Sequence, residues 1–173
     1  MIAATESSPH LPMITYEKLL EKIISLEEAL TRFGPGFRKS RRMVFTNGCF
    51  DLIHRGHVYY LTRAREMGDF LVVGLNNDES VRRLKGPGRP LNDARSRSEV
   101  LAALSVVDAV ILFGEDTPLK LITALKPDIL VKGGDYREEE IVGYREVLSW
   151  GGEVRTIPVL EGYSTTTILR RFD

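Results

Sequence analysis

The stretch Gly48-Cys49-Phe50-Asp51-Leu52-Ile53-His54-Arg55-Gly56-His57 follows the apolar run Met43-Val44-Phe45 and opens a helix-like run from Val58 to Met67. Two histidines therefore bracket a glycine where a strand gives way to a helix. The first turn of a helix carries N–H groups without intrahelical partners and the positive end of the helix dipole, which suits an anion. Imidazoles in that turn can donate to phosphate oxygens. A phosphate-handling site is the first expectation.

On either side of this turn, strand-like and helix-like segments alternate. Strands are predicted at Met43–Thr46, Phe70–Leu75, Ala109–Phe113, Ile129–Val131 and Val154–Ile157. Phe70–Leu75 is continuously apolar, as in a strand covered on both faces. Helices are predicted over 56–67, 96–104, 118–125, 138–150 and 165–172, with Ser164 capping the last. Apolar residues from Leu19 to Leu30 recur at helical spacing, which predicts an N-terminal helix over 15–33, stopped by Gly34-Pro35-Gly36. Residues 1–14 read as a flexible tail and 15–173 as a single domain. Alternation of this kind implies a doubly wound α/β fold: a five-stranded parallel sheet with helices on both faces. Ligands then sit beyond the carboxyl ends of the strands. Those ends hold Asn47-Gly48, Asn76-Asn77-Asp78, Gly114-Glu115-Asp116, Gly133-Gly134-Asp135 and Glu161-Gly162, which concentrates polar chemistry on one edge.

Composition narrows the partners. The 173 residues hold 24 Lys plus Arg against 24 Asp plus Glu, so no global charge argues for nucleic acid or a membrane surface. No apolar run reaches the roughly 20 residues that span a bilayer. The N-terminus lacks the basic-then-apolar pattern of a signal peptide. The lone Cys49 excludes an internal disulfide and fits a reducing cytoplasm.

Four segments are candidates for the site. A single histidine on an apolar face is most simply a core residue. His54 and His57 together, around a glycine at a strand-to-helix turn, favour an anion. A zinc site is poorly supplied, because His10 is the one other histidine and Cys49 is single. The run from Arg82 to Pro90 reads as a basic loop on the ligand edge, and Lys85 and Arg97 are candidate phosphate contacts. The glycines of Val131-Lys132-Gly133-Gly134-Asp135 permit close approach of a ligand to the backbone, and Asp135 could accept from sugar hydroxyls or hold a metal. In Ser164-Thr165-Thr166-Thr167, one hydroxyl suffices for a helix cap, so the run exceeds that need. Asp51 is read as holding the turn and Cys49 as a small buried residue.

These segments resemble the nucleotidyltransferase superfamily, Rossmann-like in fold, whose signatures are G-x-F-D-x-x-H-x-G-H and S-T-T-x-I. Gly48–His57 and Ser164–Ile168 meet them. Thr46–Asp51, Arg83-Leu84-Lys85-Gly86, Glu115–Pro118, Lys126-Pro127-Asp128, Val131–Tyr136, Gly151–Val154 and Glu161-Gly162 look like the heptose 1-phosphate adenylyltransferases. That module is often fused behind a sugar kinase; no kinase is present here, which implies the stand-alone form. The resemblance implies ATP and D-glycero-β-D-manno-heptose 1-phosphate as substrates, Mg²⁺ as cofactor, and ADP-heptose and pyrophosphate as products, for the lipopolysaccharide inner core. It further implies a cytoplasmic homodimer. Site residues follow by position: His54, His57, Lys85 and Arg97 at the phosphates; Thr46, Asn47, Gly48, Phe50, Lys132, Gly133 and Asp135 at the nucleotide; Ser164, Thr165 and Thr166 at the triphosphate. Two other readings stay open at this point: a cytidylyltransferase of the same superfamily acting on glycerol 3-phosphate or a similar alcohol phosphate, and a nucleotide-binding regulatory module without turnover.

Overall fold

Four apolar runs and one alternating segment form one parallel sheet in the computed structural model, which describes residues 15–169. They are β1 (Met43–Gly48), β2 (Phe70–Asn76), β3 (Ala109–Phe113), β4 (Ile129–Gly133) and β5 (Glu153–Ile157). The order β3-β2-β1-β4-β5 reverses direction at β1, with Met43 beside Phe70 on one flank and Val44 beside Ile129 on the other. The switch point therefore lies between β1 and β4. This is the Rossmann-like α/β arrangement expected, and the predicted strands lie within the observed ones, four of which run one or two residues further.

Strand alternation divides the apolar residues into two cores. Met43, Phe45, Phe70, Val72 and Ile111 face one way, against α2 (Leu26–Arg32), α7 (Leu119–Leu125) and α8 (Tyr144–Ser149). Val44, Leu71, Val73, Leu75 and Val110 face the other, against α4 (Arg55–Arg65) and α6 (Ala94–Ala103). From α4, Leu61 and Ala64 are fully buried on that second face. Both faces of the sheet are thus dry, which explains why β2 carries no polar alternation.

Two predicted helices are divided in the structure, and one predicted loop is partly helical. The N-terminal helix is not continuous: α1 (Tyr16–Leu20) and α2 are separate, followed by the short α3 (Pro35–Arg38). Ser25 caps α2, and a reciprocal bond from its N–H to the Glu28 carboxylate closes a capping box that starts a new helix there. The chain between them runs along the open edge of β3, where Ile24 N–H donates to the Val110 carbonyl and Val110 N–H to the Lys22 carbonyl. This covers an edge that would otherwise offer unpaired backbone groups. The helix expected over 138–150 divides into a 3₁₀ turn (Glu138–Glu140) and α8, with Gly143 at φ +95° between them. The basic stretch expected as a loop is in part a helix, α5 (Asp78–Lys85), capped by Asn77. The last helix, α9, is described over Thr165–Leu169; the tail 1–14 and the end of the predicted helix lie outside the described residues.

Gly68 lies in the turn between α4 and β2, where the chain passes tightly over β1. A Cβ there would stand 2.7 Å from the Arg42 carbonyl oxygen and 2.7 Å from Val44 Cγ2. Gly68→Ala is expected to destabilise the fold by about 1–3 kcal/mol through this overpacking. Gly36→Ala meets nothing within 4 Å and is expected to be neutral or slightly stabilising. Denaturant midpoints of the two variants check the contrast.

Candidate active site

A cleft of about 740 Å³ opens at the carboxyl ends of β1 and β4, on the switch point. Its floor is the loop 47–54 and the first turn of α4. Its walls come from α5 and the loop after it, from the 116–118 segment, from β4 and its following turn, and from Val159–Thr165.

The histidines sit at the centre. His54 is the N-cap residue of α4, with extended backbone, and its carbonyl accepts from His57 and Val58 N–H. No side chain caps this helix start. The two imidazoles stack at 3.8 Å with planes 23° apart. Neither Nδ1 has a hydrogen-bond partner among the described residues, although both atoms are buried. Gly56 is required between them: a Cβ there would come within 3.0 Å of the His54 ring and 3.2 Å of Tyr163 Cβ. Phe50 supports the pair from below. It has φ +44°, rare for a residue with a side chain. Its ring lies 5.2 Å from His57 and would be met at 3.0 Å by a Cβ on Gly48.

Desolvation sets the charge state of this centre. Burial pushes the His57 imidazole from its ordinary 6.5 down to about 4; His54 adds to the shift and the Leu52 backbone partly opposes it. Burial lowers His54 too. Two neutral rings can therefore lie 3.8 Å apart without mutual repulsion. Burial also lowers the Lys132 ammonium, with Lys85 acting in the same sense, and Lys132 Nζ donates to Asn47 Oδ1 at 3.3 Å. The Cys49 thiol is pushed up by burial, which keeps it a thiol despite the nearby Lys85 and Arg97.

Of the predicted residues, the cleft brings together Asn47, Gly48, Phe50, His54, His57, Lys85, Lys132, Gly133, Ser164 and Thr165. Ser164 Oγ accepts from Thr167 N–H at 3.0 Å, so the capping role is filled by one hydroxyl and Thr165 faces the cleft. The Thr166 side chain lies outside the described residues. Three residues fall elsewhere. Thr46 is buried behind the wall, its hydroxyl bonded to that of Tyr60, which also donates to the Val131 carbonyl. Asp135 is exposed on the turn after β4 and does not line the cleft.

The third is Arg97, expected at a phosphate. It is 1% exposed. Its guanidinium donates to the carbonyls of Asn92, Cys49 and Asn76 at 3.0, 2.6 and 2.8 Å, and to Asp78 Oδ1 at 2.8 Å. Its donors are engaged by the protein, and no wall of the cleft includes it. Residues missed in the sequence are Tyr60, whose ring packs on Gly133 where a Cβ would meet it at 3.1 Å, and Arg89, which lines the cleft. Tyr60 follows His57 by three residues on α4, and that spacing is the signal that could have found it.

No group of three His, Cys, Asp or Glu side chains among the described residues could hold a metal ion. Asp51, the carboxylate three residues before His54, is occupied by Arg89 and two backbone N–H groups. A protein-built Mg²⁺ cage does not fit this donor set. Mg²⁺ commonly travels on substrate phosphates instead. No helix among the described residues is long and apolar enough to cross a membrane.

Comparison with known proteins places this geometry. The chain is 55% identical over 158 residues to the bifunctional protein HldE of Trichlorobacter lovleyi, a match that covers 91% of this chain and 30% of that one. It is 54% identical over 151 residues to the same-named protein of Methylobacillus flagellatus, covering 87% and 31%. The chain thus spans about a third of the length of these curated relatives. The crystal structure of the lipopolysaccharide core biosynthesis protein from Thermoplasma volcanium is similar over 72% of this chain and 100% of that one, with 31% identity and a TM-score of 0.58. A pantoate-beta-alanine ligase from Francisella tularensis shares the fold alone, at 13% identity, a TM-score of 0.56 and coverage of 86% and 72%. Residues 45–171, from β1 through the cleft to α9, match the cytidylyltransferase-like family, and the chain belongs to that family of nucleotidyltransferases.

Proposed function

We propose that residues 15–173 work as one unit that transfers AMP from MgATP to D-glycero-β-D-manno-heptose 1-phosphate. The products are ADP-heptose, for the lipopolysaccharide inner core, and pyrophosphate. The observation that carries the transfer chemistry is the stacked, neutral His54–His57 pair at an uncapped helix start on the switch point. The choice of sugar is supported by the HldE relatives and by the resemblance in the segments that surround the cleft. A cytoplasmic location and a homodimer belong to the same reading.

The sugar phosphate oxygen is already a nucleophile and needs no general base. It attacks the α-phosphorus; a new P–O bond forms and the α–β bridging bond breaks, with the electron pair leaving on pyrophosphate. The chain contributes position and donors aimed at the developing charge. His54, His57 and the α4 N–H groups face the phosphates, with Ser164 and Thr165 closing from α9. Lys132 and Gly133 flank the nucleoside, and Tyr60 fixes the end of β4 against α4.

Three outcomes test this. Pyrophosphate release is expected with ATP and heptose 1-phosphate and not with CTP and glycerol 3-phosphate, measured as a nucleotide-by-acceptor matrix. Turnover with the second pair alone would select the cytidylyltransferase, and no product at high enzyme concentration would select the regulatory module. His57→Ala is expected to lower kcat by about 10²–10³ with the fold retained, the usual loss for one such donor; near-wild-type turnover would remove His57 from the mechanism.

Protonation gives an independent check. A triphosphate beside His57 favours the imidazolium, so nucleotide binding is expected to take up protons near pH ~6, read by calorimetry in buffers of different ionisation enthalpy. His57→Gln should lose that uptake. The same shift acts on stability. Between about 4 and 6.5 the unfolded chain holds the proton and the folded chain does not. Stability is therefore complete above 6.5 and falls as pH drops, by about 2 kcal/mol from pH ~7 to ~5, and His57→Gln lacks that loss.

A further inference from the structure

Arg89 differs from the arginines around it. Its side chain is 20% exposed and its Nε donates to Asp51 Oδ2 at 2.6 Å. Asp51 is buried, at 2% side-chain exposure, and also accepts from Leu91 and Asn92 N–H at 2.7 and 3.1 Å. Asn92 Nδ2 donates to the Asp51 carbonyl at 3.0 Å. Four bonds thus clamp the 89–92 segment onto the loop that leads to His54. Arg83 and Arg97 give their guanidinium donors to protein acceptors. Among the described residues, no acceptor takes a hydrogen bond from Nη1 or Nη2 of Arg89, and Arg89 lines the cleft.

Lys85 lines the same wall. It lies across the turn made by Gly86 and Gly88, at φ +89° and +80°, and makes no ion pair among the described residues. Two cationic side chains therefore line the β2 side of the cleft, Lys85 without an ion-pair partner among the described residues and Arg89 balanced by Asp51 through Nε alone, whereas the histidine centre is neutral in the free protein. A phosphate monoester brought against a triphosphate meets like-charge repulsion, which scales inversely with separation and is offset only by cations close to it. A guanidinium whose Nε is fixed by a buried carboxylate presents its remaining donors in a set orientation, suited to two phosphate oxygens.

We propose that Arg89, assisted by Lys85, binds the phosphate monoester of the acceptor substrate, and that Asp51 is the positioning residue that orients its fork. This rests on the nucleotidyl-transfer reading above. The acceptor thus enters from the β2 side and the nucleoside lies on the β4 side, with the histidines between them.

Steady-state kinetics of the full chain with ATP and heptose 1-phosphate test the assignment. Arg89→Met is expected to raise KM for the sugar phosphate about 10- to 100-fold, the range for loss of a charge-assisted hydrogen bond, with KM for ATP essentially unchanged. Arg89→Lys keeps the charge without the fork and should recover only part of the loss. Asp51→Asn should raise the same KM less than Arg89→Met does, with its melting curve checking the fold. An unchanged sugar-phosphate KM in Arg89→Met, or an effect confined to ATP, overturns the proposal. A second readout separates it from the choice of sugar. With the nucleotide site filled by a non-hydrolysable ATP analogue, wild-type protein is expected to broaden the phosphorus NMR line of inorganic phosphate, and Arg89→Met is not. Equal broadening in both, or none in the wild type, overturns the Arg89 site. Loss of broadening in Arg89→Met with no ADP-heptose made by the wild type supports the site and overturns the named sugar.

Discussion

The buried guanidinium of Arg97 is the constraint on which the cleft depends. It reaches from α6 to the carbonyls of Cys49 and Asn76, the residues at the carboxyl ends of β1 and β2, and to Asn92 and Asp78 besides. A charge at 1% exposure is tolerable only when its donors are matched. Here they are matched by groups from two loops, the end of β2 and the start of α5. The separation between the histidine loop and α5 is consequently set by one rigid, planar group. Everything that lines the cleft on that side inherits its position from this bond set, Lys85 and Arg89 included.

The Asp51 cluster extends the same logic outward. Arg97 ties the strand ends together from inside the sheet layer. Asp51 then ties the 89–92 segment to the loop before His54. Both are ion-containing networks in which the buried partner accepts or donates to backbone as well as to side chains, so neither can shift without breaking bonds in a second loop. That rigidity lets Phe50 stay in the left-handed region. Such a residue costs on the order of 1–3 kcal/mol and persists where surrounding structure over-determines it. Phe50 is bracketed by Cys49, whose carbonyl Arg97 holds, and Asp51, which the 89–92 segment holds.

The fold was legible because both sheet faces are covered: β1 to β4 each carry an unbroken apolar run, only the edge strand β5 alternates, and the punctuation between runs is strong. The glycine and the histidine pair at the β1–α4 turn were legible for the same reason, since their environment is local. What was not legible depended on distant partners. α5 was hidden because Arg82, Arg83 and Lys85 run into Gly86-Pro87-Gly88, and the loop signal outweighed the Asn77 cap and the buried Val81. The break between α1 and α2 was written in Ser25 and Glu28, but the helical spacing of the apolar residues spans it. Arg97 was misplaced because a sequence does not reveal whether an arginine beside a ligand edge faces the ligand or the frame. That depends on carbonyls 21 and 48 residues away. The cleft role of Arg89 was hidden for the converse reason: Asp51 lies 38 residues before it.

The division of charge within the cleft has a consequence for turnover. Fixed cations stabilise a phosphate before, during and after the reaction alike, and uniform binding of that kind does not raise kcat. Had the triphosphate end been built from lysines and arginines, pyrophosphate would be held as firmly as the nucleotide it came from. The stacked, desolvated histidines avoid this. Each is neutral in the free protein; in the proposed reaction, positive charge would arrive with the substrate and strengthen as negative charge builds on the leaving group. It can be lost again as a proton when pyrophosphate departs. In the proposed reaction Lys85 and Arg89 serve the acceptor side, where a monoester would be held against a neighbouring polyanion, while the Lys132 ammonium on the β4 side is engaged by Asn47, and the Arg97 network keeps the two ends at a constant distance across that difference in chemistry.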